Sequence, residues 1–431
     1  MIKKIKILIV TVFLTAFGGA VYADFQDGLD AYIKGDYKTA FKEWKPLASQ
    51  GDEYAQNKLA SMYRKGDGIS QDYKEALKWY RKAAEQGNAE SQHNLGTMYV
   101  IGKGISQDYK EALKWILKAA EQGSAKSQNN LGTMYAYGKG VLKDDEQALK
   151  WYRKAAEQGN AGAQFNLATM YDKGDGVSQD YKEALKWYRK AAEQGNAESQ
   201  YNLGTMYVIG KGISQDYKEA LKWYRKAADQ GNAEAQRNLA MMYFYGEGVL
   251  KDYKQAVKWF RKAADQGDAN AQVFLGIMYR KGNGVLQDHK EATRWYRKAA
   301  EQGNASGQFL LGLRYANGEG VLKDYKQAVK WFRKAADQGD AEAQFMMGNL
   351  YNGGDAVDRD HLKAFKFWTL ASDQGHSEAQ GKLAGMYIHG ISVEKDMSKA
   401  KELIEKLYAN DDIDISNRAK KVWDKFELWK Y

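Results

Sequence analysis

The sequence predicts an all-α repeat solenoid, and three observations carry the prediction. A glycine recurs at Gly51, Gly87, Gly123, Gly159, Gly195, Gly231, Gly267, Gly303, Gly339 and Gly375, always 36 residues apart. Inside each interval the apolar and small residues fall three and four apart, the period of one helix face, and nothing alternates as a strand would. A single proline, Pro46, interrupts 431 residues, as nearly continuous helix requires.

Residues 88–123 show how one unit is built. Gln92, Leu95, Gly96 and Tyr99 share one side of a helix A predicted from about Ala89 to Ile101. Gly102-Lys103-Gly104 then breaks it, because glycine reaches positive φ cheaply and weakens a helix interior. Asp108, followed three positions later by Glu111, reads as a capping box that opens helix B. Helix B carries Tyr109, Ala112, Leu113, Ile116, Ala119 and Ala120 on one face and ends at Gln122-Gly123.

Comparing units within the chain separates framework from surface. Aspartate holds the cap of every helix B from Asp72 to Asp396, and tyrosine ends every helix A from Tyr63 to Tyr387. The Gly96 column is only ever glycine or alanine (Ala60, Gly132, Ala168, Gly204, Ala240, Gly276, Gly312, Gly348, Ala384), which suits a close approach of two helix backbones. Near-identical stretches, Ser70 to Trp115 against Ser178 to Trp223, point to duplication within the array.

The unit A-x-x-Q-x-x-L-G-x-x-Y-x-x-G-x-G-[VI]-x-x-D-Y-x-x-A-x-x-W-Y-x-x-A-A-x-Q-G resembles the Sel1-like repeat, a relative of the tetratricopeptide repeat, over about 360 of the 431 residues. A plain tetratricopeptide repeat has a period near 34 and lacks the G-x-G loop. The resemblance implies a right-handed α/α solenoid whose helix A lines a concave surface. It also implies an exported bacterial adaptor that binds other proteins and does no catalysis.

Around the array the chain divides as follows. Residues 1–23 read as a Sec-type signal peptide: Lys3, Lys4 and Lys6, an apolar run from about Ile7 to Val21, and Val21-Tyr22-Ala23 as the cleavage site. The expected destination is the periplasm or the exterior. Residues 24–51 form a short capping hairpin, and nine units fill 52–375. A degenerate tenth occupies 376–411, with Ser392 in place of the second loop glycine and Leu403 in place of the tryptophan. Residues 412–431, with Ala419, Trp423, Phe426 and Trp429 at helical spacing, are expected to close the end.

Composition narrows the chemistry. The net charge of +10 falls to about +7 once the three leader lysines are subtracted, and it is spread through every unit. There is no cysteine, which excludes disulfides, thiolate metal sites, a cysteine nucleophile and a lipobox anchor. The histidines never pair at i, i+4, so no metal site is expected. The G-x-G loops follow a helix, lack a third glycine and have no Gly-Lys-Ser/Thr, so they read as interhelical loops. No serine sits in a G-x-S-x-G elbow. No catalytic residue, cofactor, metal or nucleic-acid partner is therefore expected, although secreted members of the family sometimes carry a cell-wall or β-lactam hydrolase activity.

Two surfaces remain. The tryptophans from Trp79 to Trp331, one per unit, are expected to fill the groove between stacked units, with a sugar-stacking ladder as the alternative. The columns of Lys110, Lys114 and Lys118 read as a solvated outer face, with an anionic glycan or polymer as the alternative ligand. On helix A, positions that are Asn94, Asn130 or Asn202 in early units become apolar later. Units 268–351 are thus expected to present Phe274, Ile277, Phe309, Leu310, Leu313, Phe345 and Met346 as one patch for a protein or peptide of the envelope or host. Tighter packing or self-association burying the same residues is the competing outcome.

Overall fold

A computed structural model describes residues 24–354, 356–409 and 412–431. The expected signal peptide, residues 1–23, lies outside the described residues. Among these, 23 α-helices and one short 3-10 turn follow one another, with no strand. They form two compact blocks, one reaching Trp187 and one running from Tyr188 to Tyr431. In each block, each helix packs mainly on the helices before and after it.

The unit at residues 88–123 shows the local causes. Helix A spans Ala89–Ile101; the Asn88 side chain accepts from Ser91 N at 2.9 Å, and the helix stops at Gly102, whose φ is 74°. Helix B spans Tyr109–Glu121, with the Asp108 carboxylate accepting from Lys110 N and Glu111 N at 2.9 and 3.1 Å. The capping box is only half formed. The Asp108 N–H donates to Tyr99 O at 3.1 Å, so Glu111 is free to pair with Lys114 at 3.7 Å. The loop returns helix B so close to the end of helix A that a backbone carbonyl takes the place expected of the glutamate.

The second loop glycine serves the packing of consecutive units. A Cβ on Gly104 would lie 2.6 Å from the Tyr73 Cβ and 2.7 Å from the Tyr73 carbonyl oxygen, at the first turn of the preceding helix B. The Gly96 column meets its predicted role: a Cβ there would lie 2.6 Å from Ile116 Cγ1 and 3.1 Å from Ala112 O.

Polar ties run between units as well. Gln122 Nε2 donates to Gln92 Oε1 at 2.8 Å, and Gln92 Nε2 donates to Ala84 O at 3.1 Å, satisfying a buried carbonyl. The same two bonds recur in the C-terminal block, for example Gln266 to Gln236 and Gln236 to Ala228. A second tie joins the arginine of helix B to the tyrosine ending the next helix A: Arg153 to Tyr171 at 2.7 Å, Arg297 to Tyr315 at 2.9 Å.

The ends depart from the unit in ways the sequence only partly signals. The first hairpin is Phe25–Ile33 and Tyr37–Gln50, locked by fully buried Trp44, whose Nε1 donates to Phe25 O. Ser392 adopts φ 60°, so the loop of the tenth unit keeps the left-handed geometry without its glycine. At the C-terminus a helix spans Ile413–Lys425, and a 3-10 turn, Leu428–Lys430, follows. The break at Glu427 shifts the register, so that Leu428 is fully buried and Trp429 is half exposed.

Candidate binding surface

The seven apolar residues expected on helix A all lie in the C-terminal block, on the helices Ala269–Lys281, Ala305–Asn317 and Ala341–Gly353. Phe274, Ile277, Phe309, Leu310, Leu313 and Met346 are half-buried, and Phe345 is buried at 9% exposure. Phe274 stacks on Phe260 with centroids 5.1 Å apart and interplanar angle 2°, and meets Phe244 edge-on. Phe309, Leu313 and Met346 pack against one core cluster with Phe345, while Ile277 and Leu310 pack against another built on Tyr296 and Leu311. Most of each side chain is therefore already packed on the core beneath it, and Phe345 is almost entirely covered.

Beside it lies a charge that the column comparison did not single out. Arg314 occupies the position that holds Met98 and Met278 in other units, and it is only 4% exposed. Its guanidinium pairs with Glu319 of the following loop. The Tyr296 hydroxyl lies close by; burial pushes its pKa up, and the charges of Arg280 and Arg314 oppose that rise. Arg314 is visible in the sequence only as the single cation in an otherwise apolar column.

The tryptophan column is spent on packing. Trp223, Trp259 and Trp295 are 5–7% exposed, and each carries a lysine over its ring, as in Lys298 at 4.0 Å and Lys226 at 4.2 Å from the centroid. An indole roofed in this way presents no open face to a sugar. The lysine columns in turn carry glutamates: Lys186 sits 2.9 Å from Glu183 and Lys78 3.1 Å from Glu75. In the ninth unit Phe367 holds the tryptophan position only half-buried, and Trp368, in the column of Tyr296 and Phe332, is 2% exposed.

No group of three or more histidine, aspartate or glutamate side chains placed to hold a metal occurs among the described residues. His93 is bonded through Nδ1 to Ser127 Oγ at 2.9 Å, His361 to Asn352 Oδ1 at 3.0 Å, and His376 caps the helix Ser377–His389 by accepting from Ala379 N. No helix among them is long and apolar enough to cross a membrane.

Stacked helical hairpins with a fixed framework and a variable helix-A face define a repeat solenoid, the class of protein that presents surfaces instead of enclosing a site. The Sel1 repeat model matches ten consecutive stretches, from 53–88 through 377–412, and the chain belongs to the Sel1 repeat family. It is similar to the crystal structure of a protective antigen of uropathogenic Escherichia coli displaying an SLR fold. The two share 36% identity over 89% of this chain and 90% of that one, with a TM-score of 0.64. It is also similar to a Sel1 repeat protein from Oxalobacter formigenes, at 38% identity, covering 57% of this chain and 96% of that chain, TM-score 0.51. Comparison with the curated proteins finds no match.

Proposed function

We propose that this protein is an exported, non-catalytic adaptor that holds a protein or peptide partner against its helix-A face, in the periplasm or outside the cell. The observation that carries the reading is the change of one surface column from Asn94 and Asn202 to Phe274, Leu310 and Met346 while the framework beneath stays constant. Selection for folding alone does not require that change, since the units with asparagine build the same hairpin. The half-buried state of the patch suits such a role, because shallow apolar faces rimmed by polar side chains gain most from a partner that completes their burial.

The test is affinity capture from envelope and secreted extracts, with residues 24–431 as bait beside the double variant Phe309→Asp/Leu313→Asp. A partner retained by the wild type and lost by a variant of unchanged helicity supports the reading. Equal capture by both baits removes the patch from the function.

A further inference from the structure

In every unit from 89 to 376 two helix-A positions carry side chains, for example His93 with Thr97, Tyr201 with Thr205, and Phe309 with Leu313. In the last unit both are glycine, Gly381 and Gly385. Neither glycine is required by the backbone, since both lie inside the helix Ser377–His389. The space they vacate is not refilled. A Cβ on Gly381 would come no closer than 3.9 Å to Leu407 Cδ1, and one on Gly385 would meet nothing within 4 Å.

The result is a groove of about 770 Å³ between that helix and the terminal helix Ile413–Lys425. This is within the range of pockets that take drug-sized ligands or short peptides, roughly 300–1,000 Å³. Its walls are aliphatic and aromatic, with Ile388 and Leu407 on one side and Ile415, Val422 and Phe426 on the other. Its rim is cationic. Lys382, Arg418 and Lys425 line it with only Glu378 opposing them. Among the described residues none of the three sits on a carboxylate: Arg418 Nε donates to the Asp414 carbonyl at 3.2 Å, and the Lys425 and Lys382 ammonium groups lie over the Phe426 and Trp368 rings. Elsewhere on this chain lysines on helix surfaces commonly sit within reach of a carboxylate. Phe345, one of the seven helix-A residues, also lines the groove.

We propose that this groove is a peptide-binding site for a short segment that combines apolar side chains with carboxylates. The proposal rests on the protein-binding reading above and supplies the chemistry of the partner. Apolar side chains occupy the space that the glycines leave empty, and the carboxylates meet rim cations that have no carboxylate of their own. The open groove, walled by two helices and set at the end of the array, leaves both ends of such a segment free to continue into a larger partner.

Gly385→Leu is the decisive variant, because its side chain enters open space and replaces a helix-interior glycine with a better helix former. It is expected to fill the groove and leave the fold intact, with the circular dichroism of the variant as the check. Fluorescein-labelled hexapeptide pools are titrated against residues 24–431 by polarisation: one pool alternates Leu, Ile or Phe with Glu, a second replaces Glu by Lys, and a third replaces the apolar residues by Ser. The Glu pool is expected to bind at least roughly tenfold more tightly than either control. Gly385→Leu and Lys382→Glu/Arg418→Glu/Lys425→Glu are each expected to weaken it by a similar factor, and added salt to weaken it further. Equal binding of the Glu and Lys pools, or undiminished binding to Gly385→Leu, overturns the proposal. Either failure leaves the adaptor reading to its own test, since capture with Phe309→Asp/Leu313→Asp does not depend on Gly385. Peptide binding in a chain that captures no partner would instead keep the groove and remove the adaptor.

Discussion

At the scale of single residues the framework is set by where a Cβ fits. Gly204 packs against the Tyr224 ring so closely that a Cβ would lie 2.7 Å from Cδ1. The alanines of the same column, such as fully buried Ala240, show that other units accommodate a methyl there. Gly204→Val therefore overpacks the contact and is expected to cost about 1–3 kcal/mol, read as a lowered midpoint in urea. Ser392 gives the opposite sign. It holds φ 60° where eight units, from Gly68 to Gly320, place glycine, and a non-glycine residue in that region costs on the order of 1 kcal/mol. Ser392→Gly is expected to raise stability by about that amount, and a neutral result would show that the loop relaxes around serine. His93 is expected to make stability fall with acid. Burial, reinforced by Lys126 and opposed by Glu90, holds its pKa below the ordinary histidine value. Its neutral form is the one the fold accommodates, so its contribution is complete above the unfolded pKa near 6.5 and is lost as pH falls below it. His93→Asn, the residue found at Asn129, is expected to flatten the slope of stability against pH between about 7 and 5.

At the scale of the element, the helices were legible because a 36-residue period repeats every signal ten times. Ala89–Ile101 matches the predicted helix A residue for residue, since Asn88 and Gly102 terminate it by local chemistry alone. Asp108 was legible as a cap for the same reason, but the role of Glu111 was not. The bond from Asp108 N to Tyr99 O comes from the path of the loop, which sequence spacing does not show. Three other features escaped, one because it joins columns of different units and two because they are departures from a column. The arginine-to-tyrosine tie pairs Arg81 with Tyr99 across two units, and buried Arg314 reads as one substitution among many. Gly381 and Gly385 were not singled out in a unit already degenerate at Ser392 and Leu403, yet together they open a groove. A column average discards the exceptions in which a repeat protein stores its specificity.

At the scale of the whole molecule, stability is expected to be local. Because each helix packs mainly on its neighbours in sequence within a block, the free energy of folding is a sum over units and the interfaces between adjacent ones. The C-terminal end makes this testable. Ala419 and Leu428, at 3% and 0% exposure, close over Ile404 and Leu407, which are themselves 2% and 6% exposed. Removing residues 410–431 uncovers those apolar side chains and deprives the last hairpin of its outer neighbour. Hydrogen exchange is expected to show protection lost across the helices Ser377–His389 and Met397–Tyr408. The helices Ala197–Ile209 through Tyr253–Asp265 should keep theirs, since several interfaces separate them from the cut. Protection that fell evenly across the block would instead mean that it folds as one cooperative unit. The truncated end would then act on every hairpin at once, and the groove at Gly385 could not be altered without disturbing the patch at Phe309.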